Sequence, residues 1–141
     1  MIKKFFKKLL YYILDFHPFF YVPEYKLHGH KIEIHKNDKD IWPSYPHIHV
    51  IDDSIKINVY TGEAYRIITR QEAYRVSDKD MTKLWNDKKV LQIIMDARKN
   101  KPNNVHKLEE IPMYWLNNES KEWIKKWEWL LIDQLWYWHT C

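Results

Sequence analysis

Apolar positions recur along this chain with two different periods. From Ile2 to Phe16, the residues Ile2, Phe5, Phe6, Leu9, Leu10, Ile13 and Phe16 fall on one helical stripe, with Lys3, Lys4, Lys7 and Lys8 opposite. That spacing predicts a basic amphipathic helix over residues 1–18. Its longest apolar run, Leu9 to Leu14, is far shorter than the roughly 20 residues a bilayer span requires. It also ends at Asp15 without the small-residue cleavage site of a signal peptide. Two readings stand: a terminal helix packed on the core, or an arm over residues 2–16 that meets a membrane surface or a partner.

From Tyr25 to about Thr69 the period changes to two and β-branched residues become prominent, which predicts strands. Lys31 to His35 alternates, with Ile32 and Ile34 on one face and Glu33 and His35 on the other. Asn37 to Tyr45 reads as a loop, closed by Pro43 and Pro46. His47–Ile51 and Ile55–Tyr60 read as a hairpin turning at Asp52 and Asp53. In that register Ile48 faces Ile57, while His47 and His49 lie opposite Asn58 and Lys56 on the polar face. Thr61, Gly62 and Glu63 form the next turn, and Ala64 to Thr69 returns as a further strand. The expectation is therefore a small antiparallel sheet of three to four strands over residues 25–69.

Period 3.6 returns after Ser77. Ser77 and Asp80 have the spacing of a helix start, and Met81, Leu84, Leu91, Ile94 and Met95 continue one stripe, predicting a single helix over residues 77–100 that stops before Pro102. A last helix over residues 118–138 carries Trp123, Trp127, Leu130, Leu131, Leu135 and Trp138 on one face. Such a stripe packs on the core by default; the alternative makes Trp123, Trp127 and Trp138 a partner-binding face. No internal repeat and no low-complexity tract is expected. The fold class is α+β, a single domain over residues 1–141.

Composition narrows the function classes. With 45% hydrophobic and 16% aromatic residues in 141, the chain can form a core, and with 2 glycines it lacks the turns of an all-β sandwich. The single cysteine, Cys141, excludes an internal disulfide framework and fits a cytoplasmic protein, peripheral to the membrane if the first helix meets it. The net charge of +4 resides in the four lysines of the first helix. Residues 11–141 balance, so charge gives no support to a nucleic-acid partner.

The candidate chemistry is histidine. His28, His30 and His35 precede the loop, and His47 and His49 follow it. Alternation puts His47 and His49 on one face, with Glu33 and His35 projecting to the same side if the first two strands pair. His35, His47, His49 and Glu33 are thus candidate ligands for zinc or another divalent transition metal, with Asp38 and Asp40 able to complete or orient the site. A rival grouping joins His28 and His30 to the pair through a bulge at Gly29. Without metal, His47 and His49 form a candidate catalytic acid–base pair or phosphate contact; without function, they are ordinary surface histidines. No Cys-x-x-Cys, His-Glu-x-x-His, Walker or Rossmann pattern is present.

The segments Lys31-Ile-Glu-Ile-His-Lys-Asn-Asp38, Pro46-His-Ile-His-Val50 and Lys56-Ile-Asn-Val-Tyr-Thr-Gly-Glu63 resemble a family of small bacterial proteins of unknown function. That family's signature reads Pro-Pro-His-Phe-His-Val followed by Thr-Gly-Glu, and the resemblance covers roughly residues 30–100. It implies a component of a toxin–antitoxin or defence gene pair, acting by binding. The leading expectation is accordingly a small intracellular interaction or regulatory protein that meets a protein partner or a second copy of itself. The 8 tryptophans and 10 tyrosines fit such an interface. The alternatives are a hydrolase or nuclease built on the His47 and His49 face, and a membrane-surface protein.

Overall fold

The computed structural model describes residues 20–128. The segment 2–16 predicted to be an amphipathic helix, the part of the predicted last helix that would hold Leu130, Leu131, Leu135 and Trp138, and Cys141 lie outside the described residues. Six strands form one antiparallel meander in sequence order: β1 (Phe20–Tyr21), β2 (Ile32–His35), β3 (His47–Val50), β4 (Ile55–Asn58), β5 (Glu63–Arg66) and β6 (Glu72–Arg75). Two helices follow, α1 (Asp78–Trp85) and α2 (Lys88–Lys99), then a 3₁₀ turn (Met113–Trp115) and a helix, α3, described over 118–128. Among the described residues no helix is long and apolar enough to cross a membrane.

The α+β class stands, but the expected three to four strands are corrected to six. The sheet runs beyond residues 25–69 at both ends. β1 has only two residues, too few for alternation to register. β6 pairs with β5 through Glu63↔Arg75, Ala64↔Tyr74 and Tyr65↔Glu72, with an irregularity between Ala64 and Tyr65. Both strands have the sequence Glu-Ala-Tyr-Arg, so a four-residue repeat is present where none was expected. The strand expected to run to Thr69 stops at Arg66, because the chain turns back there: the Arg70 N–H donates to the Arg66 carbonyl at 2.8 Å and Arg70 takes a positive φ of 60°.

The single helix over 77–100 is also corrected, to two. Ser77 does cap the start, accepting from the Asp80 N–H. The break falls at Asn86 and Asp87. The Asn86 amide donates to the Thr82 and Trp115 carbonyls and accepts from the Asn117 N–H, while Asp87 caps α2 by accepting from the Lys89 N–H. Asp87 Oδ2 also accepts the Tyr21 and Tyr25 hydroxyls at 3.0 and 2.7 Å. This cap therefore ties the segment entering the sheet to the helix layer.

One face of the sheet is apolar and dry. Ile32, Ile34, Ile48, Val50, Ile55 and Ile57 pack against Met81, Leu84 and Trp85 of α1 and Val90, Leu91, Ile94 and Met95 of α2, all buried. The expected register holds, with Ile48 opposite Ile57, His47 opposite Asn58 and His49 opposite Lys56. Trp85 crosses this layer and donates its indole N–H to the Val59 carbonyl at 2.9 Å, satisfying the one polar atom that so large a side chain brings inside. Trp123 and Trp127 of α3 are half-buried against the same core, which places them in the packing of the domain.

Candidate metal centre

The opposite face carries the histidines. β2 and β3 pair with Glu33 opposite His49 and Ile34 opposite Ile48, so Glu33, His35, His47 and His49 all project away from the helices. Water would normally cover such a face. Here the β2–β3 loop folds back over it, with cis peptides at Trp42–Pro43 and Tyr45–Pro46. Ser44 anchors the loop: its hydroxyl donates to the Pro46 carbonyl and accepts the Val59 N–H. The Tyr60 hydroxyl donates to the Tyr45 carbonyl. His47 is consequently 2% exposed, although its neighbour on the same face, His49, is only half-buried.

The loop also brings down a carboxylate. Asp38 Oδ2 lies 3.1 Å from His47 Nε2 and 3.0 Å from His49 Nε2, and the two Nε2 atoms are 3.1 Å apart. Three donor atoms thus form a nearly equilateral triangle. The His47 Nδ1 is 3.1 Å from the Ser44 carbonyl oxygen, which can only accept. Nδ1 therefore carries the proton, and Nε2 turns its lone pair into the triangle. This is the arrangement by which an outer hydrogen bond orients a metal-binding imidazole.

His35 stands beside the triangle. Its ring stacks on that of His49 with centroids 4.0 Å apart. Its Nε2 donates to Glu33 Oε1 at 2.8 Å, and its Nδ1 faces Asp38 Oδ2 at 4.0 Å. His35, Asp38 and His49 offer ligand atoms within 4.8 Å of one another. The structure therefore brings together His35, His47, His49 and Asp38. Glu33 reaches His35 and not the triangle, so it orients a ring where sequence reasoning made it a ligand. His28 and His30 go elsewhere, stacking on Tyr74 at 4.1 and 6.3 Å, so the rival grouping does not form.

Electrostatics suit a cation. Burial lowers the basicity of His47 most, and the Asp38 charge only partly offsets it. His49 shifts down in the same way, burial first, against its hydrogen bond to Asp38. Burial opposes ionisation of Asp38, but the Asp40 N–H, the hydrogen bond from His49 and the proximity of His47 outweigh it and hold the carboxyl below its ordinary value. Two neutral imidazoles and a carboxylate result, which is the protonation state a divalent metal requires.

Two further loop residues lie beyond His49 on the same face. Asp40 pairs with Lys56, which holds the Asp40 carboxyl below its ordinary value. The Trp42 N–H donates to Asp40 Oδ1 at 3.2 Å, and its ring lies against Tyr65. Asp40, expected to complete or orient the histidine site, orients it through its backbone, whose N–H donates to Asp38 Oδ1 at 3.0 Å; its carboxylate holds the neighbouring Lys56.

Compared with known protein families, curated proteins and solved structures, the chain matches none. The fold and the site define an α+β domain with a His/Asp cluster that could hold a metal ion.

Proposed function

We propose that this protein binds one divalent transition metal through His47, His49 and Asp38 and uses it to activate water for hydrolysis. The observation that carries the reading is the triangle of 3.0, 3.1 and 3.1 Å edges among His49 Nε2, His47 Nε2 and Asp38 Oδ2. His47 Nε2 has no proton, and Asp38 Oδ2 has none, so the edge between them sets two acceptors against each other, bridged without metal only by the one proton of His49 Nε2. A cation relieves that repulsion. Burial disfavours a second proton on His47, and a metal ion supplies the charge instead.

The edge lengths support open coordination. Donors about 2.1 Å from an ion stand about 3.0 Å apart at right angles and about 3.4 Å apart in a tetrahedron. The triangle fits one face of an octahedron, and a shift of about 0.3 Å fits zinc. Three ligands leave positions for water and substrate, and the ion lowers the pKa of bound water toward 7. His35, oriented by Glu33, stands next to those positions as a fourth ligand or a proton acceptor. Substrate approaches from the side of Asp38 and His49, whose side chains are 22% and 20% exposed, against 0% for His47.

The test is hydrolysis of p-nitrophenyl acetate, p-nitrophenyl phosphate and bis(p-nitrophenyl) phosphate by untagged protein stripped with chelator and reloaded with zinc, manganese or cobalt. Turnover that appears on reloading and is absent from Asp38→Asn supports the reading. Equal rates for stripped, loaded and variant protein overturn it.

A binding role remains the second reading, supported by Met113 and Tyr114, exposed at 41% and 74%, and by Trp123 and Trp127, which are only half-buried. On it the protein works in a toxin–antitoxin or defence pair, as the Pro46-His-Ile-His-Val50 and Thr61-Gly-Glu63 signature implies. Cys141 supports a cytoplasmic setting for either reading.

A further inference from the structure

A row of cations and aromatic rings leads away from the metal site along the same face of the sheet. His49 on β3 is opposite Lys56 on β4, and Lys56 is opposite Tyr65 on β5. Trp42 comes down from the loop onto this row, its ring centroid 5.8 Å from that of Tyr65 and 5.9 Å from Lys56 Nζ. From the β5–β6 turn Arg70 reaches back and lays its guanidinium over Trp42, with Cζ 4.7 Å from the ring centroid. Strand spacing places Lys56 about 5 Å and Tyr65 about 10 Å from His49.

The two cations differ in how they are held. Lys56 is paired with Asp40 and stands directly opposite His49 across the β3–β4 ladder, one strand from the metal position. Arg70 is exposed, and among the described residues it has no carboxylate partner; its contacts are the Trp42 face and the backbone turn. A planar guanidinium fixed on an aromatic ring keeps its fork of N–H donors aimed outward, the geometry that meets two oxygens of a phosphate.

We infer that the ligand of this site carries at least two phosphate groups, one at the metal beside Lys56 and a second that Arg70 receives over Trp42. The inference rests on the metal reading above and adds the class of substrate. A ligand of that length follows from the spacing: the row from His49 past Lys56 to Tyr65, against which Trp42 and Arg70 lie, spans about 10 Å, more than a single phosphate ester covers. Trp42 and Tyr65 offer ring faces on which a nucleobase between the two phosphates can stack.

The test is calorimetry on the metal-loaded full chain with three probes: a thymidine dinucleotide bearing a 5′ phosphate, the same dinucleotide without it, and 1,3-propanediol bisphosphate. Removal of the terminal phosphate is expected to weaken binding roughly tenfold. Arg70→Ala is expected to do the same, with no further loss when both are removed. Lys56→Met should weaken all three probes; Arg70, being exposed, gives the result even if that variant is unstable. Equal binding of the bisphosphate means that phosphates alone are read, and weaker binding means that the base also stacks; both uphold the inference. Metal that loads stoichiometrically while none of the probes binds, or an Arg70→Ala protein that binds the phosphorylated dinucleotide as well as the native chain, overturns it and leaves the metal reading intact. A chain that takes up no metal removes both.

Discussion

At the scale of single residues, His47 and Asp38 have opposite relations to stability and to the site. His47 is buried, its Nδ1–H donates to the Ser44 carbonyl, and truncation leaves a cavity and an orphaned acceptor. His47→Ala should cost about 2–4 kcal/mol in denaturant unfolding of the metal-free protein. Asp38 sits on the loop with its side chain partly exposed. Asp38→Asn should leave the metal-free midpoint within about 1 kcal/mol of native while removing metal binding. A midpoint that falls as far in Asp38→Asn as in His47→Ala would mean that the triangle is structural. Alternation in the sequence was enough to put His47 and His49 on one face, because parity in a strand depends only on sequence spacing. Their enclosure was not legible, since it comes from the return of residues 38–46 over the sheet. The partner of Glu33 was not legible for a related reason: Glu33 is opposite His49 in register, but its side chain is held by His35 at 2.8 Å.

At the scale of elements, the central hairpin was readable because two strands had to agree in one register, and both set isoleucines on one side. The outer parts were not. β1 is too short to have a period, and β6 has Ala73 and Tyr74 only half-buried, so its alternation is faint. Its signal was instead the second Glu-Ala-Tyr-Arg, a copy of β5 that a search for short repeats would find. The helix break was written in Asn86-Asp87, a pair of capping residues inside an otherwise continuous stripe. Gly62 was read correctly as a turn glycine, with φ of 81°. A Cβ there would stand 3.3 Å from Met81 Cγ and from the Val76 carbonyl oxygen, where β6 passes into α1. Gly62→Ala should therefore destabilise by about 1–3 kcal/mol, read from thermal unfolding. A neutral change would show that the β5 turn tolerates a side chain despite its backbone conformation.

At the scale of the whole molecule, the sheet's apolar face carries the core and its covered polar face carries the His/Asp cluster. Tyr25 links the layers through Asp87. Burial first, then its hydrogen bond to Asp87 and that carboxylate's charge, drive the Tyr25 phenol far above its ordinary value. A phenol whose pKa is raised by folding contributes stability that is whole below the unfolded value of about 10 and is lost as pH climbs beyond it. The melting temperature should fall above about pH 10, and Tyr25→Phe, though lower at neutral pH, should fall less steeply. The metal site is tested most directly by calorimetric titration of chelator-stripped, untagged protein with zinc, cobalt and manganese, alongside Asp38→Asn and His49→Ala. One ion per chain in the native protein, with a rise in melting temperature on loading and no binding by either variant, is the predicted result. No uptake by the native chain, or equal uptake by all three proteins, would contradict it.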